Sequence, residues 1–111
     1  MKEYKQFRNT NYYVEVSEGK LYHMVVNEEN VKVFTEVKPR VKQKGSEWKD
    51  RVDIGKTLKI HRVVFEACYG FCPPSNMVVH HINGDHHDNR PENLALMTVE
   101  EHRNMHKKGD D

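Results

Sequence analysis

The chain has 111 residues, a length typical of one domain, of which 36% are hydrophobic and 32% are charged. The core must therefore be modest, which argues against a deep cavity for a small-molecule substrate. No apolar stretch approaches the ~20 residues needed to cross a bilayer, and the N-terminus lacks the apolar run of a signal peptide. We expect a protein of the host-cell cytoplasm with no membrane partner, in which Cys68 and Cys72 are reduced thiols.

Charge is unevenly distributed along the chain, although its net value is only +1. Residues 38–62 carry nine basic and three acidic groups, a balance of +6, and residues 63–111 carry four basic and eight acidic groups, a balance of −4. The basic segment suits a phosphate-bearing partner and the acidic segment suits a cation. One basic row alternates along a predicted strand and is expected to share a face, as a phosphate track or as a solvated edge: Lys38, Arg40, Lys42 and Lys44.

Residues 1–60 are predicted to be β-rich. The runs Tyr12–Val16, Leu21–Val26 and Val31–Val37 favour strands, and the last alternates apolar and polar residues with a period of two. A turn is expected at Glu18–Gly19. A further strand is predicted from Trp48 to Ile60, with a break at Gly55.

A helix is predicted from His61 to Tyr69. Gly70 then stands where a C-terminal cap glycine belongs, and two prolines follow shortly after. One face of this helix is expected to be apolar and to include Val63, Val64, Ala67 and Cys68. Cys68 should therefore face the core, whereas Cys72 should lie in the following loop.

The last third of the chain is predicted to be strand, loop, strand and helix. The strands are Met77–Ile82 and Asn93–Met97, with a polar loop between them. Thr98 and Glu101 have the spacing of a capping box, in which each side chain accepts a hydrogen bond from a backbone N–H of the first helical turn. The helix is expected to run to about Lys107.

Histidine spacing indicates a metal site. His102 and His106 are four residues apart on the last helix, so that both imidazoles share one face and can reach one ion. His80 and His81 are adjacent on a strand and must point to opposite faces. Only one of them can join the helix in binding the ion directly.

The run VVHHINGDHHDNRPENLALMTVEEHRNMH resembles the motif of the HNH endonucleases. The site of that family is a β-hairpin clasped to one helix around a metal ion, the ββα-metal motif. The resemblance covers Met77 to about Lys107, and the preceding KIHRVVFEACYG is similar to the helix that leads into this motif in phage nucleases. Residues 1–58 resemble no family that we can name.

The chain length, the predicted elements and the resemblance together indicate a single α+β domain over residues 1–111. It would comprise an antiparallel β-rich, candidate DNA-contacting part (1–60), a connecting helix and loop (61–76) and the C-terminal ββα-metal motif (77–108). Its implied function is hydrolysis of DNA phosphodiester bonds, by nicking or by double-strand cleavage. The implied setting is a bacteriophage or another mobile element, with a role in DNA packaging beside packaging proteins or as a homing-type nuclease. Nothing in the sequence marks an oligomeric interface.

The resemblance also assigns roles to residues. His81 would be the general base that deprotonates the attacking water, a task that suits neutral imidazole, and Asn93, on the second strand, would orient it. One divalent cation, Mg, Mn, Ni or Zn, would be held by His80, His102 and His106. Many family members have Asp and Asn at the positions of His80 and His102, and an all-imidazole set suits zinc or nickel better than magnesium.

Several alternatives stay open at this stage. Arg62 and Arg90 are candidates for phosphate contacts or for structural hydrogen bonds. His86 and His87 are expected in the polar loop, solvated or near phosphate. Cys68 and Cys72 with two histidines are a weaker candidate zinc site. At the level of function, the alternative is a non-catalytic DNA-binding module with a structural metal site.

Overall fold

The computed structural model describes the backbone of residues 2–38, 40–41, 50–55 and 57–107, and most of their side chains. Within these residues, nine strands form three antiparallel sheets, and two α-helices complete the α+β fold. The β-rich first part and the linking helix are therefore as predicted. Neither helix has the length and apolar composition that a membrane crossing requires.

The first sheet is a meander of four strands that pair in chain order. Its members are β1 (Tyr4–Gln6), β2 (Tyr12–Glu15), β3 (Lys20–Val26) and β4 (Lys32–Glu36). Three of them match predicted strands, whereas the three-residue β1 is too short to show a periodic pattern. The turn before Gly19 is present, and Asn27 closes the next turn by accepting hydrogen bonds from the N–H groups of Glu29 and Val31.

The two faces of this sheet are packed differently. Val14 and Leu21 are fully buried in the core. On the opposite face, the ring of Phe34 stacks on Tyr4 with centroids 4.6 Å apart. Val33, next to Phe34 in β4, is 39% exposed. The alternation along β4 is thus real, with Phe34 packed against aromatic neighbours and Val33 exposed, whereas Val37, just beyond the strand, packs against the core.

The second sheet comprises β5 (Arg40–Val41), β6 (Asp50–Asp53) and β7 (Thr57–Lys59). The predicted break at Gly55 is confirmed, because this glycine lies between β6 and β7 with a φ of 80°. The predicted basic row falls mostly outside the described residues: Lys42, Lys44 and the side chain of Arg40 lie there, as does Trp48. Lys38 follows β4 and is highly exposed, with its ammonium 3.5 Å from the Glu36 carboxylate.

Helix α1 (Ile60–Tyr69) contacts all three sheets. It ends as predicted at Gly70, which adopts φ 88° and donates its N–H to the carbonyl of Glu66. Burying each large apolar side chain contributes roughly 1.5–3 kcal/mol relative to leaving it exposed. The core around α1 consists of Phe7, Val14, Leu21, Val52, Ile60, Val63, Val64, Phe65, Val79 and Leu94.

Both cysteines are free thiols. Cys68 packs against the core as predicted, and burial raises the pKa of its thiol to about 11. Cys72 is exposed in the following loop, beside the guanidinium of Arg8. The two sulfurs therefore lie in different environments.

The third sheet is a hairpin of β8 (Met77–His81) and β9 (Leu94–Thr98), followed by α2 (Val99–Lys107). The capping box is confirmed: Thr98 N–H donates to Glu101 Oε1 at 2.9 Å, and Glu101 N–H donates to Thr98 Oγ1 at 3.0 Å. The prediction that Asn93 lies on the second strand is wrong by one residue. Asn93 ends a 3₁₀ turn, Pro91–Asn93, because Pro91 favours a helical start and Asn93 N–H bonds the carbonyl of Arg90.

The turn after β2 depends on the carboxylate of Glu15, which is 1% exposed. Burial on its own would raise the pKa of this group, but hydrogen bonds from Ser17 Oγ, Ser17 N–H and Glu18 N–H outweigh burial and lower it. We expect Glu15→Gln to lower the free energy of unfolding in urea at neutral pH by about 1–3 kcal/mol.

The stabilisation from Glu15 should be present above the unfolded-state pKa and disappear as the pH falls through the lowered folded-state value. The gap between wild type and Glu15→Gln should therefore close in acid, and a gap independent of pH would contradict this account. Glu18→Gln, at an exposed neighbour, is the control and should change stability by less than about 0.5 kcal/mol.

Candidate functional site

His80 and His102 are brought together by the hairpin and the last helix. His80 lies opposite Ala95 in the β8–β9 register, and α2 packs across these two strands. The imidazole rings of His80 and His102 meet edge to face, with centroids 5.2 Å apart and an interplanar angle of 69°. Two of the three predicted metal ligands are therefore neighbours in space.

The third predicted ligand, His106, follows one turn later on α2, and its side chain lies outside the described residues. Among the side chains that are described, no group of three His, Cys, Asp or Glu residues is arranged to hold a metal ion. The two neighbouring imidazoles fit a borderline divalent ion such as zinc or nickel, which prefers nitrogen donors. A ligand role for His106 beside them stays a prediction.

His81 points to the other side of β8, as strand alternation requires. The residue is 5% exposed, and its Nε2 lies 2.8 Å from Oδ1 of Asn89. The His61 ring, on α1, has its centroid 5.0 Å from that of His81, and the His86 ring lies 5.5 Å away on another side. The imidazole of His81 is thus surrounded by polar rings and one amide.

Asn93 holds the loop that follows His81. Its side chain accepts a hydrogen bond from Asn83 N–H and donates to Asn83 Oδ1 and to the carbonyl of Asp88, all at 2.9–3.0 Å. Its backbone carbonyl accepts from Ile82 N–H at 2.8 Å. The hydrogen-bond partner of the His81 ring is Asn89, and Asn93 acts on the backbone just beyond that ring.

Arg90 and Arg62 make structural hydrogen bonds. Arg90 donates through Nε and Nη2 to the two carboxylate oxygens of Asp88, both at 2.8 Å, and holds the pKa of Asp88 well below its usual range. Arg62 donates from α1 to the carbonyls of Pro73, Pro74 and Met77, and so ties the helix to the start of β8. Contacts of either residue with phosphate stay predictions.

Two buried residues beside His81 were not singled out from the sequence. Asn89 is 6% exposed and lies in the run from Asp88 to Leu94, in which only Asn93 had been assigned a role. His61 is 5% exposed, and the helical period already placed it one turn before Val64 and Phe65. The position of Asn89 depends on how the loop folds, and no periodic pattern in the sequence shows which asparagine faces the His81 ring.

The comparisons with known proteins agree with this reading of the C-terminal part. Residues 58–104 match the sequence model of a family described as HNH endonuclease. This range is less than half of the chain and takes in α1, the β8–β9 hairpin and the first two thirds of α2. The resemblance noted from the sequence is confirmed, and the match supports a nuclease role. No curated protein matches the chain.

One solved structure, described as DNA binding and cleavage by the HNH homing endonuclease I-HmuI, has a TM-score of 0.63 to this chain at 23% sequence identity. The match covers 96% of this chain and 59% of that chain, so this chain spans less than two thirds of its neighbour. At this identity the likeness shows the fold, which extends over the N-terminal sheet as well as the C-terminal motif.

The hydrogen bonds of the Asn93 side chain predict that its removal lowers the stability of the protein. In Asn93→Ala the Asn83 N–H and the Asp88 carbonyl lose their buried partner, and we expect the free energy of unfolding to fall by about 1–3 kcal/mol. Urea denaturation followed by circular dichroism measures this. Glu92→Ala, at the exposed neighbour, is the control. Equal stability of the two variants would show that Asn93 does not hold the loop.

Proposed function

Because residues 58–104 carry the motif of the HNH endonuclease family, we propose that this protein is a metal-dependent endonuclease that hydrolyses phosphodiester bonds in DNA. The observation that carries the proposal is that the two adjacent histidines of β8 lie on opposite sides of the strand and have different neighbours. His80 stands beside His102 on one side of the strand, and His81 is held by Asn89 on the other. A metal-dependent nuclease with a histidine base needs a metal ligand and the base in separate places, and the opposite orientations of His80 and His81 support that assignment.

The metal would be held by His80, His102 and His106. When bound at a scissile phosphate, a divalent cation supplies Lewis-acid stabilisation of the charge that develops during hydrolysis. Imidazole donors favour zinc or nickel, and manganese or magnesium would be held less well by this set. The ring contact between His80 and His102 supports the assignment of these two ligands.

His81 would act as general base toward the attacking water. The Asn89 oxygen facing Nε2 only accepts hydrogen bonds, so the proton of the neutral ring belongs on Nε2. Nδ1 is then the basic nitrogen that removes a proton from water. Asn89 orients the ring directly, and Asn93 supports the chain that follows it.

DNA contacts are proposed for the basic residues of the middle segment and the motif. The +6 balance of residues 38–62 is suited to neutralising phosphates and releasing counterions. The candidates are Lys38, Arg40, Lys42, Lys44, Arg62 and Arg90. The solved structure with this fold is described by its DNA binding and cleavage, which supports DNA as the substrate. A homing-type or DNA-packaging role in the cytoplasm of a phage-infected cell would use such an activity.

One observation favours a second candidate function, a DNA-binding module without catalysis. His81 is 5% exposed, and a buried imidazole bonded to an amide is also a common structural arrangement. In that case the His80–His102 pair would serve only to stabilise the hairpin and helix. The two functions differ in what His81 does for cleavage.

The base assignment predicts that His81→Ala folds, binds zinc with wild-type affinity and loses nicking of supercoiled plasmid. The loss should be at least about 100-fold, since positioned general bases contribute at least that much. Calorimetric zinc titration and an agarose plasmid assay measure the two properties. His23→Gln, in β3, is the control. Undiminished cleavage by His81→Ala would overturn the base assignment, and DNA binding without cleavage by the wild type would favour the non-catalytic module.

The metal assignment predicts that EDTA abolishes cleavage and that adding Mg, Mn, Ni or Zn singly restores it to different degrees. His102→Ala and His106→Ala should each weaken metal binding and cleavage together, because each removes one donor. Parallel zinc titrations and plasmid assays test this, and they also report whether one strand or both are cut. Activity that survives exhaustive chelation would rule out the one-metal scheme.

A further inference from the structure

We propose that Gly19, in the turn between β2 and β3, is a positioning residue for His81 that acts through the backbone of Asn89. The inference rests on the proposed function of His81 as the base. It assigns part of the active-site geometry to the N-terminal sheet, outside the range of the family match.

The first observation is a close approach between two backbones. Gly19 adopts φ +66°, a conformation that L side chains rarely adopt. A Cβ built on Gly19 would overlap the carbonyl group of Asn89 and lie 2.7 Å from the nitrogen of Arg90. Only glycine therefore lets the turn pack directly against the peptide that joins Asn89 to Arg90.

The second observation is that the turn has its own internal support. The buried Glu15 carboxylate accepts hydrogen bonds from Ser17 N–H at 3.1 Å and Glu18 N–H at 3.0 Å, besides the Ser17 hydroxyl. Gly19 N–H donates to the Glu15 carbonyl at 2.8 Å. The shape of the turn is thus determined within the first sheet. The turn is therefore a rigid surface against which the loop containing Asn89 packs.

The third observation connects the contact to the imidazole. The Asn89 residue that meets Gly19 through its backbone meets His81 Nε2 through its side chain. A cavity of about 140 Å³ adjoins the contact and is lined in part by Gly19, Val37, Ile60 and Asn89. Asn93 holds the same loop through the Asp88 carbonyl, and the contact with Gly19 adds a second constraint on where Asn89 places its amide.

The test is Gly19→Ala, with Gly55→Ala and Gly70→Ala as matched controls. All three glycines have positive φ, at +66°, +80° and +88°, but a Cβ at Gly55 or Gly70 would meet nothing within 4 Å. The controls therefore carry the same backbone cost without the clash. We expect Gly19→Ala to lower kcat for plasmid nicking by about 10- to 100-fold, as a shift of about 1 Å at a reacting group does, with KM and zinc affinity unchanged.

Two further measurements separate positioning from general damage. The ¹⁵N NMR signal of His81 Nε2 should move in Gly19→Ala and stay in place in Gly55→Ala and Gly70→Ala. Because this signal needs no cleavage, it tests the contact even if the protein proves not to be a nuclease. In an Asn89→Ala background, Gly19→Ala should cause no additional loss of kcat, since both act through one hydrogen bond.

The proposal is overturned if Gly19→Ala matches the two control variants in kcat and in the His81 signal, or if its effect is fully additive with that of Asn89→Ala. Should Gly19→Ala fail to fold, Ser17→Ala loosens the same turn without adding atoms. That variant should shift the His81 signal in the same direction by a smaller amount. An unchanged signal in folded Ser17→Ala would then contradict the proposal.

Discussion

Burial of α1 among the three sheets is the interaction on which the remaining geometry depends. Val63 and Val64 occupy the centre of a small core, and the same helix directs polar groups from its other faces. Arg62 ties α1 to the start of β8, and Tyr69 donates its hydroxyl hydrogen to the carbonyl of Pro91 at 2.8 Å. The buried helix therefore positions the start of β8 and the turn before β9 through polar side chains, and His61 reaches His81 from the same helix.

Strand β8 places side chains of different surroundings on its two sides. Its alternation sends His80 toward α2 and His81 toward α1, so that two adjacent residues enter different environments. One side brings the imidazoles of His80 and His102 together. The other provides a buried ring with one defined hydrogen-bond partner. The separation follows from the geometry of an extended chain and needs no special loop.

Much of this arrangement follows from the sequence because short-range rules govern it. The cap glycine of α1, the capping box of α2 and the opposite orientations of His80 and His81 depend on residues within four positions of one another. The choice of Asn89 as partner of His81 does not, since it depends on how a polar loop folds across Asn93. The contact between Gly19 and Asn89 joins residues far apart in the chain, and no periodic pattern encodes such contacts.

The contact between Gly19 of the first sheet and Asn89 of the motif also bears on whether the two parts can be exchanged independently. The range that matches the family begins at residue 58, which invites the view that it is an interchangeable cassette. Yet the peptide after Asn89 rests on a turn that is encoded near residue 19. A recombination event that joined this cassette to a foreign N-terminal sheet would keep His80, His81 and His102 and still lose that support. On the proposed role of Gly19, the first sheet and the motif have to match each other, because position 19 has no room for a side chain.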